Sequence, residues 1–68
     1  MDNETALKKA LEIVRERAKS KGITALNEEP IIFALMGRIE REGIEKTIEY
    51  AKTAPFSKTQ KSIVGYSY

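Results

Sequence analysis

The chain has 68 residues and a formal net charge of +2, and it contains neither cysteine nor histidine. A chain this short forms at most one domain with a small core. Without cysteine it has no disulfide or thiolate metal site, and without histidine it lacks the commonest metal ligand and the usual general base near neutral pH. We therefore expect no catalytic residue, no metal site and no cofactor.

The polar start of the sequence and the shortness of its apolar runs indicate a cytoplasmic protein without a membrane partner. The start, MDNETALKK, lacks the basic residues and apolar run of a signal peptide. The longest apolar run, residues 30–37, is far shorter than the roughly 20 residues of a membrane span.

The small net charge is distributed unevenly along the chain. Residues 1–22 carry a net charge of +2, residues 23–53 carry −2 and residues 54–68 carry +2. A typical nucleic-acid binder has a stronger and more focused basic field.

The first predicted helix covers residues 3–21. Its apolar residues recur at spacings of three and four, which is the period of one helical face. These residues are Leu7, Leu11, Val14 and Ala18. Asp2 or Asn3 is expected to cap its start, because a short polar side chain accepts a hydrogen bond from a free amide. Gly22 is expected to end it in the left-handed conformation.

Two further helices are predicted, over residues 28–42 and 44–53. Asn27 is expected to cap the first of them, and Gly43 separates the two. Three helices joined by short, glycine-containing corners form a compact bundle. The sequence therefore predicts an all-α fold, with a three-helix domain in residues 1–54.

Residues 55–68 form a basic tail that is rich in serine, threonine and tyrosine and has no helical period. The segment SIVGYSY favours a short strand because β-branched and aromatic residues dominate it. One strand needs a partner edge, however. The tail is therefore interpreted as partly ordered, extended or forming a short strand, with Phe56 packing back on the bundle as the alternative.

The second predicted helix carries six large apolar residues within nine positions. They are Ile31, Ile32, Phe33, Leu35, Met36 and Ile39. Four of them share one face, which we expect to pack on the other two helices. These four are Ile32, Leu35, Met36 and Ile39. Ile31 and Phe33 lie off this face. We expect one of them to contact Phe56, the Ile63–Val64 segment or another protomer, because leaving a large apolar side chain exposed forgoes roughly 1.5–3 kcal/mol.

This excess of apolar side chains has two interpretations. The helix is simply the central one of the bundle, or one of its faces binds a second copy or another protein. Gly37 favours binding, because a glycine inside a helix costs about 1 kcal/mol relative to alanine and allows close approach. We therefore predict a protein-interaction module that self-associates into a homo-oligomer. The predicted interface residues are Ile31, Phe33, Leu35, Met36 and Gly37.

The stretch AKSKGITALNEEP, residues 18–30, suggests a different function. Four of its residues resemble the front half of the DNA-binding helix-turn-helix pattern. They are Ala18, Gly22, Ile23 and Thr24. Where a recognition helix presents basic or amide side chains, this chain has Glu28, Glu29 and Pro30, and phosphates repel carboxylates. The same four residues suit a plain helix end followed by a turn. That interpretation is favoured, and it predicts a second helix beginning near Glu28.

The alternative prediction is therefore a small nucleic-acid-binding regulator. Cations at the end of the first helix and in the tail would contact phosphates, and Tyr66 and Tyr68 would stack on bases. The candidate contacts are Arg15, Arg17, Lys19, Lys21, Lys58 and Lys61. A carboxylate cluster on the later helices is interpreted as a solvated face that pairs with neighbouring cations. Its members are Glu40, Glu42, Glu45 and Glu49.

Overall fold

Three helices make up most of the part of the chain that the computed structural model describes, residues 1–57 and 62–63. They are α1 (Asn3–Ser20), α2 (Glu28–Glu42) and α3 (Ile44–Thr53). Each of the three packs against the other two. The predicted three-helix bundle is confirmed, and the predicted helix ends agree with the observed ones except that α1 ends one residue earlier.

The starts of the first two helices are capped differently. Asp2 Oδ1 accepts a hydrogen bond from the Thr5 N–H at 2.8 Å. This bond lowers the pKa of the Asp2 carboxyl, because it stabilises the charged form. Of the two predicted caps of α1, the structure therefore selects Asp2 over Asn3. Asn27 occupies the cap position of α2, but its side chain makes no capping hydrogen bond.

A single residue, Gly43, joins α2 to α3. Its φ of 95° and ψ of 171° lie in a region that is essentially restricted to glycine. The Gly43 N–H donates to the Ile39 carbonyl at 3.1 Å, and the Gly43 carbonyl accepts from the Thr47 hydroxyl at 2.9 Å. Thr47 is fully buried. The hydroxyl bond therefore satisfies a polar group inside the core while it fixes the corner between the helices.

The core lies where the three helices meet and contains many small side chains. Its buried members are Ala10, Leu11, Val14, Ile31, Leu35, Ala51 and Ala54. Side chains that are partly buried pack around this cluster, among them Leu7, Ile48 and Tyr50. Because alanine contributes little bulk, the few large side chains in this cluster provide most of its apolar contact area.

The inward face of α2 differs from the predicted one. Ile31 and Leu35 are fully buried, whereas Met36 is 45% exposed. Ile32 is only half-buried. The prediction is confirmed for Leu35 and Ile39 and wrong for Ile32 and Met36, because it followed the large apolar residues and gave no weight to Ala34, which is also buried. With Ala34 turned inward, Ile31 lies in the core, and no second molecule is needed to cover it.

Two short strands follow α3. β1 (Phe56–Ser57) pairs antiparallel with β2 (Ser62–Ile63), and Phe56 is the register partner of Ile63. The partner edge that the predicted strand requires therefore belongs to the tail itself. Phe56 packs against the helical core, which confirms the interpretation that it returns to the bundle. β2 lies beside α2.

Candidate interaction surface

The segment AKSKGI ends α1 with a Schellman motif. The Ile23 N–H donates to the Ala18 carbonyl at 2.9 Å, and the Gly22 N–H donates to the Lys19 carbonyl at 3.1 Å. Gly22 has a φ of 74° and is the left-handed residue that this motif requires. The resemblance to a helix-turn-helix is therefore explained by the chemistry of a helix C-terminus.

The connection to the second helix is also too long for a helix-turn-helix. Residues 21–27 separate α1 from α2, whereas the DNA-binding motif uses a turn of about three or four residues. Ala25 adopts a left-handed φ of 54° within this connection. α2 begins at Glu28, as the interpretation of a plain corner predicts. No helix begins at Thr24, and the first turn of α2 is acidic rather than basic.

Arg15 ties α1 to the first turn of α2. Its Nε and Nη2 atoms donate to the two carboxylate oxygens of Glu28 at 2.7 and 2.8 Å. The hydrogen bonds from Arg15 hold the pKa of the Glu28 carboxyl below its usual value, although desolvation opposes them. Both of these Arg15 donors are therefore engaged inside the chain, although the pair remains partly exposed to solvent.

Arg17 connects α1 to the end of α3 and to the tail. Its Nη1 donates to the Ala51 carbonyl at 2.8 Å, and its Nη2 donates to the Ala54 carbonyl at 2.7 Å. Its guanidinium carbon also lies 4.9 Å from the centroid of the Phe56 ring. Carbonyls in the last turn of a helix lack intrahelical partners, so this cation satisfies groups that the fold leaves open. Arg17 therefore has a structural role.

The predicted nucleic-acid contacts therefore fall into three groups: residues with partners inside the chain, exposed residues, and residues outside the described part of the chain. Arg15 and Arg17 are engaged within the chain, while Lys19 and Lys21 are exposed near the end of α1. Four predicted contacts lie outside the described residues. They are Lys58, Lys61, Tyr66 and Tyr68. Nucleic-acid binding stays a prediction, and two of its four described contacts, Arg15 and Arg17, already have partners inside the chain.

Arg38 joins α2 to α3 in a similar way. Its guanidinium carbon lies 3.7 Å from the centroid of the Tyr50 ring, and its Nη1 donates to Glu42 at 2.9 Å. Burial raises the pKa of the Tyr50 hydroxyl, while the nearby charge of Arg38 opposes that shift. Glu42 therefore pairs with Arg38, which is not among the cations that the sequence suggested as partners of this face, namely Arg41, Lys46 and Lys52.

The side of α2 that faces away from the core, here called the outward face, exposes apolar side chains. It consists of Glu29, Phe33, Met36, Gly37, Glu40 and Arg41. Phe33 is 67% exposed and Met36 is 45% exposed. Two predicted interface residues, Ile31 and Leu35, are corrected, because both are fully buried inside the chain. The predicted interface is thereby reduced to Phe33, Met36 and Gly37.

Gly37 lies beneath a side chain of its own helix. A Cβ atom added to Gly37 would lie 2.9 Å from Arg41 Nη1. The space that the missing side chain leaves above Gly37 is therefore occupied by the Arg41 guanidinium. This group is at the end of an exposed and flexible side chain. Arg41 also lines a hollow of about 260 Å³ on this face together with Pro30, Phe33 and Ala34.

A second hollow lies where α2 meets the start of α1. It has a volume of about 240 Å³ and contains three apolar side chains, which belong to Leu7, Met36 and Ile39. Polar side chains of Asn3 and Glu40 lie on its rim. Met36, which is 45% exposed, therefore contributes apolar surface both to this hollow and to the outward face.

Comparison with protein-family models, with curated proteins and with solved structures finds no match to this chain. Among the described residues, no helix combines the length and hydropathy that crossing a bilayer requires. Within the same residues, no group of three or more acidic side chains is placed to hold a metal ion. The functional interpretation therefore rests on the surface of the bundle.

The Arg15–Glu28 pair gives the bundle a specific dependence on acid. Because the pKa of Glu28 is lowered by folding, the pair stabilises the protein above the ordinary glutamate value of 4.5 and loses that effect as the pH falls through the lowered pKa. We expect Glu28→Gln to reduce the free energy of unfolding at pH 7 by about 0.2–1 kcal/mol, since the pair is partly exposed to solvent. Urea unfolding between pH 7 and pH 3 measures this difference.

Glu29→Gln is the matched control for this experiment. Glu29 is exposed and makes no ion pair with any residue that the structure describes. Its replacement should cost only what any carboxylate in the first turn contributes through the helix dipole, which Glu28→Gln also loses, so the difference between the two variants reports on the ion pair. The destabilisation in Glu28→Gln should shrink as the pH falls through the lowered pKa of the wild-type carboxyl. Equal effects of the two substitutions at pH 7 would contradict the role assigned to the pair.

Proposed function

We propose that this protein is a small, non-enzymatic interaction module that self-associates through the outward face of α2. Phe33 supports this proposal most directly. It is an aromatic side chain at 67% exposure on a helix whose opposite face is fully buried. Covering such a side chain contributes about 1.5–3 kcal/mol, and aromatic residues are enriched among the anchors of protein interfaces.

The surroundings of Phe33 also favour a protein partner over a small substrate. Phe33 lines one hollow and Met36 lines the other; both hollows are lined mainly by apolar atoms, and each includes a charged side chain, Arg41 in the first and Glu40 in the second. An apolar centre with a charged rim is the usual organisation of a protein interface. The sequence also supplies no histidine or cysteine to activate a nucleophile.

Replacing Phe33 with aspartate tests the proposal. We expect the average mass of the wild-type protein to rise with concentration in sedimentation or light-scattering experiments between about 10 μM and 1 mM, a range suited to small interfaces. Phe33→Asp should remain monomeric over that range, because the substitution places a charge at the centre of the interface. Its thermal stability at low concentration should stay close to wild type, since the side chain is exposed in the monomer.

Lys9→Gln is a suitable control, because it also changes the net charge by −1 at an exposed position, but on α1. It should associate like the wild type. If the wild-type protein stays monomeric up to 1 mM, and Phe33→Asp has the same average mass at every concentration, the outward face is not an interface between copies.

A further inference from the structure

Four residues of the outward face form a continuous row along α2. They recur at every fourth position and all lie on the surface of the monomer. They are Glu29, Phe33, Gly37 and Arg41. Residues spaced in this way form one ridge on a helix surface, and such ridges pack into the grooves between the ridges of a neighbouring helix. The row begins with an anion and ends with a cation, with an aromatic residue and a glycine between them.

This row is complementary to itself when it is reversed. Turning the helix end for end exchanges the position of Glu29 with that of Arg41, and the position of Phe33 with that of Gly37. A second copy in the antiparallel direction therefore brings each carboxylate to a guanidinium and each ring to a glycine. A parallel copy would instead place carboxylate against carboxylate and guanidinium against guanidinium, which is unfavourable.

We propose that the partner of the outward face is a second copy of this chain, bound antiparallel across a two-fold axis between Phe33 and Gly37. This inference rests on the proposed self-association and specifies its geometry. In the dimer, Glu29 pairs with the partner's Arg41, and Phe33 packs over the partner's Gly37. Each contact occurs twice, as two-fold symmetry requires. Ridges of this type cross at roughly −50°.

The charges at the two ends of the row are available for such pairing. Neither Glu29 nor Arg41 makes an ion pair with another residue in the described part of the chain. The neighbouring Glu28, by contrast, is bound by Arg15. In the monomer the Arg41 guanidinium rests on Gly37. Reaching out to a partner's carboxylate would remove it from the glycine and open that position to an aromatic ring.

This antiparallel geometry explains why position 37 is a glycine. A glycine inside a helix lowers helix stability relative to alanine, and alanine would fit here once the flexible Arg41 side chain moved slightly. An absent side chain at this position lets the ring of the partner's Phe33 approach the helix backbone. The interface involves one helix face from each protomer and is therefore small, so we expect a weak dimer with a dissociation constant in the micromolar range or above.

Charge reversal tests the pairing. Glu29→Arg creates two like-charge contacts in an antiparallel dimer, and we expect it to raise the dissociation constant about tenfold. Adding Arg41→Glu should restore the wild-type value. The two positions are about 18 Å apart along one helix, so this rescue cannot arise within one protomer. A double variant as weak as the single one would overturn the pairing.

Cross-linking tests the direction of the helices. The chain has no cysteine, so Glu29→Cys and Arg41→Cys variants each carry one thiol. A short bis-maleimide should join the two variants when they are mixed, and it should not join Glu29→Cys to itself. Efficient self-cross-linking of Glu29→Cys would show a parallel arrangement and would overturn the proposal.

Gly37→Ala provides a readout in which folding and association change in opposite directions. The monomer should become more stable to urea, while the dimer should dissociate about tenfold more readily because the added methyl group blocks the approach of Phe33. A wild-type protein that is always monomeric defeats both this geometry and the proposed function. A dimer that is lost in Phe33→Asp but unchanged in Glu29→Arg and Gly37→Ala overturns only the geometry.

Discussion

Replacing Ile31 with alanine is expected to lower the free energy of unfolding by about 2–5 kcal/mol. Ile31 is fully buried in the cluster that also contains Leu35 and Val14. Its truncation removes apolar contacts and leaves a cavity that rigid helices fill only partly. A domain of 68 residues has a total stability of roughly 3–10 kcal/mol. This one substitution should therefore unfold a large share of the molecules near physiological temperature. Urea unfolding followed by circular dichroism measures the effect.

Ile32→Ala is the matched control, because it makes the same chemical change at the next position of the same helix. Ile32 is only half-buried, so its truncation should cost clearly less than that of Ile31. The comparison determines which face of α2 points inward. If Ile32→Ala proved the more damaging of the two, α2 would be rotated towards the face that the apolar pattern alone predicts, and the outward face would have to be redefined.

The helix ends could be predicted from the sequence because they depend on local chemistry. Gly22 and Gly43 both adopt positive φ, and few other residues are stable there. Asp2 reaches an amide only three residues away. Such contacts involve neighbours in the sequence, so a short stretch contains nearly all of the information that fixes them.

The rotation of α2 could not be predicted in the same way. Periodicity identified a helix that is apolar around much of its circumference, but several inward faces were compatible with it. The choice depends on how closely the axes approach, and the small size of Ala34 and Ala51 permits a packing that a ranking by hydrophobicity does not anticipate. Of the predicted interface residues, Phe33 and Met36 consequently lie on the surface, whereas Ile31 is buried.

The role of the arginines also depends on contacts between distant parts of the chain. Arg17 binds carbonyls that are 34 and 37 residues away in the sequence. Nothing in the sequence around Arg17 distinguishes it from a surface cation that could bind phosphate. The sequence offers one signal, Phe56, an aromatic residue just after the last helix, but it does not identify the cation that the ring meets.

The second large effect is expected for Arg17→Met, which preserves a long apolar stem but removes the guanidinium. We expect the free energy of unfolding to fall by about 2–3 kcal/mol. The Ala51 and Ala54 carbonyls lose their charged donors, and Ala54 lies in a nearly dry environment at 2% exposure. The Phe56 ring also loses the cation that lies over it. Urea unfolding provides the stability. Hydrogen exchange of the amides that follow α3 reports separately on the attachment of the tail.

Two controls separate this role from a general effect of charge. Arg17→Lys keeps the charge but replaces a planar fork with a single ammonium, which is poorly shaped to bind two carbonyls at once, so it should recover only part of the loss. Arg15→Met removes an arginine from the same helix whose ion pair with Glu28 is exposed to solvent, and it should cost clearly less than Arg17→Met. If Arg17→Lys were as stable as the wild type, charge alone would be sufficient at this position. If Arg17→Met cost no more than Arg15→Met, the guanidinium would not be what holds the end of α3 against α1.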